Sequence, residues 1–394
     1  MGRLFGTDGI RGVANENLSV DLALRAGQAA AEVLTEASNH KPLILIGKDT
    51  RISSDMFEAA LTAGICSVGG DVLLLGTVPT PAVAYLTKKL GADAGIMISA
   101  SHNPYEHNGI KIFNSEGFKL SDELEDRIEE RIKSGVKLKT HDGIGAVKRS
   151  DTAIQQYIDH VAGCIHSDLK GLRILVDCAN GSASVTAKSI FERFKSETEI
   201  LFDSPNGINI NSRCGSTHLE SLAKMVVAGG YDVGIAFDGD ADRCLVVNEK
   251  GETVDGDAIM AICGLHMKKA GKLAKDTIVA TVMSNLGFHM FLEENGMKAI
   301  TAPVGDRYVL EEMQKGGYVL GGEQSGHLIF LDEETTGDGQ FTAMKYLEIL
   351  AESGLKASEL NAGIKQHPQV LKNVKVHQDV KHVLAENEAV KAAI

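Results

Sequence analysis

Three aspartates that alternate along one short segment are the residues best suited to chemistry. Asp238, Asp240 and Asp242 lie in the sequence Phe237-Asp-Gly-Asp-Ala-Asp-Arg243, between two apolar stretches that predict strands. This spacing, with a glycine that lets the chain bend, can bring the three carboxylates to one side. Oxygen ligands of this kind suit a hard divalent cation, and Mg²⁺, which works beside phosphate, fits them best. A solvated acidic loop is the alternative.

A calcium-binding EF-hand is another interpretation, because the three aspartates and Glu249 have the spacing of its ligands. The position of such a loop that turns sharply is normally glycine, but here it is Arg243. The flanking segments also predict strands, whereas an EF-hand needs helices. The sequence therefore disfavours a calcium site of this type.

Ser101 is the candidate nucleophile, in the polar segment Ile98-Ser-Ala-Ser-His-Asn-Pro-Tyr105 that follows an apolar strand. A serine can carry a phosphoryl group where a metal neutralises the charge, and the three aspartates could supply that metal site. A hydrolase is disfavoured, because the sequence has no GxSxG motif and His102, although adjacent in sequence, is not thereby a base in space. A plain turn is the remaining alternative.

The glycine-rich segment Gly321-Gly-Glu-Gln-Ser-Gly-His327 offers donors and acceptors on a backbone that another molecule can approach closely. This composition suits sugar hydroxyl groups, and a simple hairpin turn is equally consistent with it. The sequence has no Walker A motif, no GxGxxG after a strand and no HExxH, so the common nucleotide-binding and zinc-protease patterns are absent.

Charge and composition narrow the class of protein. The 394 residues carry a formal net charge of −13, which argues against a nucleic-acid-binding protein with a broad basic surface. No apolar run approaches the ~18 residues that a membrane crossing requires. Six widely spaced cysteines without a CxxC pair are typical of reduced thiols in a cytoplasmic protein. We therefore expect a cytoplasmic protein with neither nucleic acid nor a membrane as its partner.

Short apolar strands separated by helical segments predict α/β layers with much parallel pairing. The pattern begins again near residues 172 and 277, which indicates three α/β units and the start of a fourth. Ser19 is expected to cap the first helix, and Ser53 or Ser54 the second. The stretch 108–119 predicts a hairpin that turns at 114–117.

Together, these segments resemble one family, the α-D-phosphohexomutases. The motifs stand in family order along nearly the whole chain: FGTDGIRG at 5–12, GKDTRISS at 47–54, ISASHNPYEHNGIKIF at 98–113, FDGDADR at 237–243, GDRY at 305–308 and GGEQSGH at 321–327. The combination of ASHNP with DGDADR at this spacing is very specific. FGTDGIRG and the Gln of GGEQSGH resemble the members that act on glucosamine phosphates.

The resemblance implies α/β domains with mixed sheets between helices around a central cleft, at 1–152, 153–254 and 255–368. A fourth, α+β domain would begin at 369. In the family that domain carries an Arg-x-Ser-Gly-Thr-type loop that grips the non-reacting phosphate, and no such loop occurs here. We therefore expect that 369–394 is an incomplete fourth domain. An inactive form that only binds a sugar phosphate is an alternative to a working enzyme.

The resemblance also implies that Ser101 is carried as phosphoserine and that one Mg²⁺ per chain is bound by its phosphate and the three aspartates. The reaction would interconvert D-glucosamine 6-phosphate and D-glucosamine 1-phosphate. A hexosamine or glucose 1,6-bisphosphate would serve as intermediate or activator. The product would feed UDP-N-acetylglucosamine and cell-wall synthesis. Phosphomannomutase or phosphoglucomutase activity is the alternative, and the family suggests a homodimer.

Individual roles follow from the same resemblance. Lys111 matches the family's general acid or base, and His102 is expected to support the serine loop without taking part in catalysis. The catalytic residues implied are Ser101, Lys111, Arg11 and His327. The substrate-binding residues implied are Glu323, Ser325, Arg243, Asp306 and Arg307, and the metal ligands are Ser101, Asp238, Asp240 and Asp242.

Overall fold

Three sheets that follow one another along the chain, each packed with helices, make up the fold. The computed structural model describes residues 4–6, 8–36, 39–370 and 387–391. The predicted fold class, α/β with mixed sheets between helices, is confirmed. Within the described residues, no helix combines the length and the apolar character that a membrane crossing requires. The units built on the first, second and third sheets are called domains I, II and III below.

Domain I contains a sheet of six strands. The strands are β1 (Ile10–Val13), β2 (Leu43–Lys48), β3 (Asp71–Thr77), β4 (Ala94–Ile98), β5 (His107–Asn114) and β6 (Val147–Arg149). The helices are α1 (Val20–Thr35), α2 (Ser54–Ser67), α3 (Thr80–Lys89) and α4 (Asp122–Ser134). The strand order is β1-β5-β4-β2-β3-β6, and β2 is parallel to β3 and β4. Only β5 runs antiparallel to both its neighbours, β1 and β4, so the sheet is mixed.

Domain II repeats this plan with five strands. They are β7 (Arg173–Asp177), β8 (Glu197–Leu201), β9 (Val233–Phe237), β10 (Cys244–Asn248) and β11 (Thr253–Val254). The helices are α5 (Ala153–Gly163), α6 (Ala187–Phe191) and α7 (Glu220–Gly229). The order is β11-β10-β9-β7-β8, with β7 parallel to β8 and β9. Since strands flank the segment with the three aspartates, the EF-hand interpretation is wrong.

Domain III has a smaller sheet, in the order β13-β12-β14-β15. The strands are β12 (Thr277–Thr281), β13 (Lys298–Ala302), β14 (Leu320–Gly322) and β15 (Leu328–Phe330). The helices are α8 (Gly256–Lys269), α9 (Leu286–Glu294), α10 (Asp306–Gly316), α11 (Gly339–Ser353) and α12 (Ala357–Leu360). Of the predicted fourth domain, 371–386 and 392–394 lie outside the described residues, and α13 (Glu388–Lys391) is a short helix.

Two of the predicted helix caps differ in their chemistry. The hydroxyl oxygen of Ser19 accepts a hydrogen bond from the Leu22 amide at 3.1 Å, as predicted for the start of α1. Ser53 stands at the equivalent position of α2, but it makes no hydrogen bond to a helix amide. Its hydroxyl oxygen instead accepts from the side-chain amide of Asn108 at 2.9 Å, so a tertiary contact replaces the local one.

The predicted hairpin at 108–119 forms only in part. The turn is present, because the Gly117 amide donates to the Asn114 carbonyl at 2.9 Å. The second arm, however, contributes a single bridge between Lys119 and Phe113. Pairing ends there because Ser121, two residues later, already caps helix α4, and β1 pairs with β5 from residue 107 to residue 110. The turn therefore projects from the sheet rather than extending it.

Helix α11 joins domains II and III through a buried carboxylate. Asp338 caps α11 by accepting from the Phe341 amide at 2.9 Å, and it also accepts from the hydroxyl of Tyr157 on α5 at 2.8 Å. Burial and the nearby Glu334 raise the pKa of Asp338 to about 7. A second contact, 2.5 Å between His160 and Glu334, lies beside it. Stability at this junction is therefore expected to depend on pH.

We expect that Asp338→Asn makes the free energy of unfolding less dependent on pH. Because the pKa of this carboxyl is about 7 in the folded chain, folded protein binds its proton more tightly than unfolded protein does. Stability from this group is fully present below about pH 4, the usual carboxyl pKa, and is lost as the pH rises towards 7. Urea unfolding at about pH 5 and about pH 7.5 would measure this difference. The free energy of unfolding should fall less between the two pH values in the variant than in the wild type.

Asp255→Asn is the matched control, because Asp255 caps α8 through the Ala258 amide but stays partly exposed. It should keep the wild-type dependence of stability on pH. The same pH dependence in Asp338→Asn and in the wild type would contradict the prediction.

Candidate active site

The loop that carries Ser101 begins where the buried strand β4 ends. Ser101 itself is only 1% exposed and has a φ of 53°, in the left-handed region that non-glycine residues rarely adopt. Strained backbone of this kind persists only where the surroundings fix it, and it is common at functional sites. The loop is therefore held in a defined shape, and a plain flexible turn is not what the structure contains.

A buried arginine fixes this shape. Arg51 and Asp49 form an ion pair in which both side chains are 0% exposed. The guanidinium donates to the carbonyl of Ser101 at 2.8 Å and to that of Asn103 at 2.9 Å. From domain II, the side-chain amide of Asn211 donates to the same Ser101 carbonyl at 2.9 Å. Two domains thus hold the backbone from Ser101 to Asn103.

The three aspartates follow the carboxyl end of β9 and converge as the sequence predicts. Asp238, Asp240 and Asp242 each offer an oxygen such that these atoms lie within 4.8 Å of one another, and all three residues are buried. The Ser101 hydroxyl donates to Asp238 at 2.6 Å, which joins the two segments directly. Gly239 permits this approach, because a Cβ at that position would lie 2.6 Å from the Ser101 carbonyl oxygen.

The cluster carries negative charge that the described side chains do not fully neutralise. Within the described part of the chain, one carboxylate oxygen of Asp240 and one of Asp242 are buried without a hydrogen-bond partner. Burial and the charges of Asp242 and Asp240 raise the pKa of Asp238 well above its usual value. Unpaired buried carboxylate oxygens cost several kcal/mol each, in order of magnitude, unless a cation meets them. The donor set fits a hard divalent cation, so a solvated acidic loop is excluded.

Lys111 enters the same cluster from β5. Its ammonium, 1% exposed, lies 2.8 Å from Asp240, 3.3 Å from Asp242 and 3.1 Å from Asp8. Burial alone would lower the pKa of Lys111, but the carboxylates of Asp240, Asp8 and Asp242 outweigh it and raise the pKa. Arg11 contacts Asp8 as well. The lysine therefore carries its proton in this state.

His327 and Asp306 bring domain III to the site. His327 has one ring nitrogen 3.7 Å from Asp242 and the other 3.4 Å from Asp306. The Gly337 amide donates to that second nitrogen at 3.2 Å, and the whole ring is 2% exposed. Although burial lowers the pKa of His327, the nearby carboxylates of Asp242 and Asp306 raise it overall. His327 is thus a buried imidazole able to hold a proton beside the aspartates.

His102 lies between Ser101 and Arg243. Its Nδ1 atom is 3.3 Å from the Ser101 hydroxyl and accepts from the Arg243 guanidinium at 3.2 Å. Burial and the charges of Arg243 and Arg11 lower the pKa of His102 to about 4. The ring is therefore neutral near pH 7 and lies beside the serine hydroxyl, while the guanidinium of Arg243 places positive charge next to it.

The hairpin turn between β14 and β15 holds the predicted sugar-binding groups. One carboxylate oxygen of Glu323 accepts from the Gly305 amide at 3.0 Å, and the other accepts from the Ser325 hydroxyl at 3.4 Å. Ser325 is exposed and Glu323 is half-buried. The hairpin-turn alternative is therefore confirmed, and the turn presents these polar groups at the carboxyl end of β14, whereas sugar binding stays a prediction.

Arg307 does not point to this cluster. Its guanidinium lies 2.7 Å from Asp122 and 3.5 Å from Glu125 on α4, and 3.0 Å from Glu311 on its own helix. Its neighbour Asp306 contacts Lys119 and His327. In this state Arg307 links domains I and III, whereas Asp306 belongs to the site.

Sequence reasoning missed several side chains that build the site. Arg51 and Thr80, whose hydroxyl contacts Asp240, carry no recognisable spacing signal, although Arg51 lies in the GKDTRISS segment. Asn211 lies in an irregular loop without any motif. Lys119 follows the turn after β5 and looks like an ordinary surface residue in the sequence. Only their tertiary contacts assign them to the site.

Models of a single family cover most of the chain. They are described as phosphoglucomutase/phosphomannomutase alpha/beta/alpha domain I over residues 2–139, domain II over 155–251 and domain III over 255–367. A phosphoglucosamine mutase of Thermoanaerobacter sp. (strain X514) is 53% identical over 396 residues. That alignment covers 100% of this chain and 88% of the relative.

Solved structures show the same architecture. A phosphoglucomutase/phosphomannomutase family protein from Burkholderia thailandensis is 26% identical with a TM-score of 0.82, covering 98% of this chain and 84% of that one. Aspergillus fumigatus N-acetylphosphoglucosamine mutase, solved in complex with GlcNAc-6P and magnesium, is 16% identical with a TM-score of 0.66. This second likeness covers 93% of the chain and 80% of the other, and it shows the fold alone. With its three domains matched in order and a relative similar over its full length, the chain belongs to the phosphoglucomutase/phosphomannomutase family of α-D-phosphohexomutases.

Proposed function

We propose that this chain interconverts D-glucosamine 6-phosphate and D-glucosamine 1-phosphate, with Ser101 as the carrier of the phosphoryl group. The observation that carries the proposal is the 2.6 Å contact between the Ser101 hydroxyl and the aspartate cluster. The substrate follows from the relative named above, a phosphoglucosamine mutase at 53% identity. A serine that faces a cation site can take and return a phosphoryl group, which is what moving phosphate between two sugar oxygens requires.

Mg²⁺ is the cation that this proposal assigns to Asp238, Asp240 and Asp242. The fit rests on the convergence of their oxygens within 4.8 Å and on the unpartnered buried oxygens of Asp240 and Asp242. Small hard cations prefer such carboxylates and work beside phosphate groups. When bound, the ion would neutralise charge on the phosphoryl group. One ion per chain remains part of the proposal, as does a 1,6-bisphosphate intermediate.

The other basic groups of the site have two proposed roles: some transfer protons, and the others stabilise the charge of the transferred phosphoryl group. When the phosphoryl group leaves Ser101, its bond to the serine oxygen breaks and a bond to a sugar oxygen forms, so the sugar hydroxyl must lose a proton. The serine oxygen gains a proton in exchange. In this proposal Lys111, which holds a proton, donates to the serine oxygen, and His327 in its neutral form accepts the proton of the sugar hydroxyl. The return transfer to Ser101 reverses both proton movements. Arg243 and Arg11 place guanidinium charge at the same site, where it stabilises the transferred group.

Substrate recognition is proposed to come from domain III. Glu323 and Ser325 offer a carboxylate and a hydroxyl on the turn after β14, and both suit sugar hydroxyl groups. Asp306 adds a negative charge at the same edge. Arg307 would reach substrate only after leaving Asp122 and Glu125. A cytoplasmic location, a homodimer and a supply of UDP-N-acetylglucosamine belong to the same proposal.

Intact mass combined with an activity assay tests the carrier role of Ser101. Incubation with Mg²⁺ and glucose 1,6-bisphosphate should add ~80 Da, the mass of one phosphoryl group. Added glucosamine 6-phosphate should then be converted to the 1-phosphate. Ser101→Ala should lose both the mass gain and at least ~10³-fold of the rate, because the carrier oxygen is removed.

Ser182→Ala is the matched control, since Ser182 is also a fully buried serine and its hydroxyl has no hydrogen-bond partner among the residues that the structure describes. It should keep both the mass gain and turnover. If the chain converts mannose or glucose phosphates faster than glucosamine 6-phosphate, the proposed substrate is wrong. If the chain takes up phosphate but converts no substrate, the inactive sugar-phosphate-binding form is favoured. If Ser101→Ala still converts substrate, Ser101 is not the carrier.

We expect Mg²⁺ to raise the thermal midpoint of the wild type, because a cation that binds only the folded chain stabilises it. At ~100 times its dissociation constant the gain is about 2.7 kcal/mol, or several degrees. Asp240→Asn should lose most of this shift, since one carboxylate and its charge are removed. Scanning calorimetry with and without the ion measures the difference.

Asp257→Asn serves as the control for that measurement. Asp257 is a buried carboxylate of domain III that accepts from Ser284 and Asn285 and lies outside the triad. It should be less stable than the wild type and still gain the full shift with Mg²⁺. If Mg²⁺ raises the thermal midpoint equally in the wild type and in Asp240→Asn, the three aspartates are not the binding site.

A further inference from the structure

Lys119 occupies a position that the sequence motifs do not assign to the site. Its ammonium contacts the carboxylates of Asp8 in domain I and Asp306 in domain III, and its side chain is 12% exposed. Burial alone would lower the pKa of Lys119, but the charges of Asp306 and Asp8 outweigh it and raise the pKa. A partly buried, charged lysine therefore stands between two carboxylates of different domains.

The turn that carries Lys119 is itself docked on domain III. The Gly117 carbonyl accepts from the Thr335 hydroxyl at 2.7 Å, and Phe118 packs against the small apolar cluster that includes Val309 and Met313. Because the turn projects from the domain I sheet, these contacts place the ammonium at the first residue of α10. The position of Lys119 is thus set by packing as well as by charge.

Both partners of Lys119 touch groups that handle protons or charge. Asp8 contacts Lys111 and Arg11, and Asp306 lies 3.4 Å from a ring nitrogen of His327. Lys111 and His327 in turn both contact Asp242. The six side chains form a closed ring across three domains in which carboxylates alternate with basic groups: Asp242, Lys111, Asp8, Lys119, Asp306 and His327.

We propose that Lys119 is a positioning residue, which holds the start of α10 against domain I and so fixes Lys111 and His327 relative to each other. Without its charge, the carboxylates of Asp8 and Asp306 would face each other and repel, because like charges at close range are destabilising in a buried site. The domain III segment would then separate from Asp8. The kinetic part of this proposal rests on the proposed function, whereas the structural part does not.

Lys119→Met tests the proposal, because methionine keeps most of the unbranched side chain, one atom shorter, and removes its charge. In the substrate-free chain, hydrogen–deuterium exchange should become faster in peptides from residues 303–316. In the mutase assay, kcat should fall by ~30-fold or more and KM should change by less than ~5-fold, since misplaced proton-handling groups affect the chemical step. Lys119→Arg restores a cation and should return kcat to within ~5-fold of the wild type.

Lys48→Met is the matched control. Lys48 has a side chain that is also 12% exposed and also stands between two carboxylates, those of Asp55 and Glu58, but both belong to α2 of domain I. Both substitutions remove a cation from between two carboxylates, so both should lower the thermal midpoint. Lys48→Met should leave both kcat and exchange in 303–316 unchanged.

The outcomes separate the two proposals. Unchanged exchange in Lys119→Met, or faster exchange without a fall in kcat, would overturn the positioning role. Equal effects from Lys48→Met would overturn it too, because general loss of stability would then explain the result. If the wild type lacks mutase activity, the proposed function fails, and the exchange of 303–316 still decides whether Lys119 holds domain III in place.

Discussion

The burial of three carboxylates beside one serine is the constraint on which the rest of the structure depends. Like charges in a poorly solvated site repel, and each needs a donor or a cation. The chain supplies Lys111 from β5, the Ser101 hydroxyl from the loop after β4, and the hydroxyl of Thr80 at the start of α3. All three partners come from domain I, whereas the aspartates come from domain II. Groups of domain I therefore stabilise the buried carboxylates of domain II, so the interface between the two domains is part of the site.

The same constraint explains why the serine loop is rigid. A serine whose backbone is in the left-handed conformation has to be held by its surroundings. Here the Arg51 guanidinium and the Asn211 side-chain amide both donate to the Ser101 carbonyl. The close approach at Gly239 brings the two loops together. Ser101, Asp238 and Glu323 each follow the carboxyl end of a strand, in β4, β9 and β14 respectively. Such strand ends are where ligands bind in α/β sheets, so three similar sheets can build one site.

Much of the fold and of the chemistry could be predicted from the sequence because the signals are local. The spacing of the three aspartates, the apolar strands around them and the cap at Ser19 each depend on residues close together in the chain. Predictions that depended on a distant partner were less successful. The Ser53 hydroxyl accepts a hydrogen bond from Asn108 rather than from an amide of its own helix. The second arm of the hairpin after β5 forms a single bridge, because α4 begins directly after it.

By itself, the sequence determined the residue types that chemistry needs, their order along the chain and the α/β class, because periodicity and motif spacing are properties of neighbouring residues. Only the tertiary structure decided which of those residues share a site. In the folded chain Arg307 pairs with Asp122 on α4 of domain I, and Lys119 lies between Asp8 and Asp306. The physical reason is that charge pairing across domains depends on distances in space, which residues far apart in sequence do not reveal.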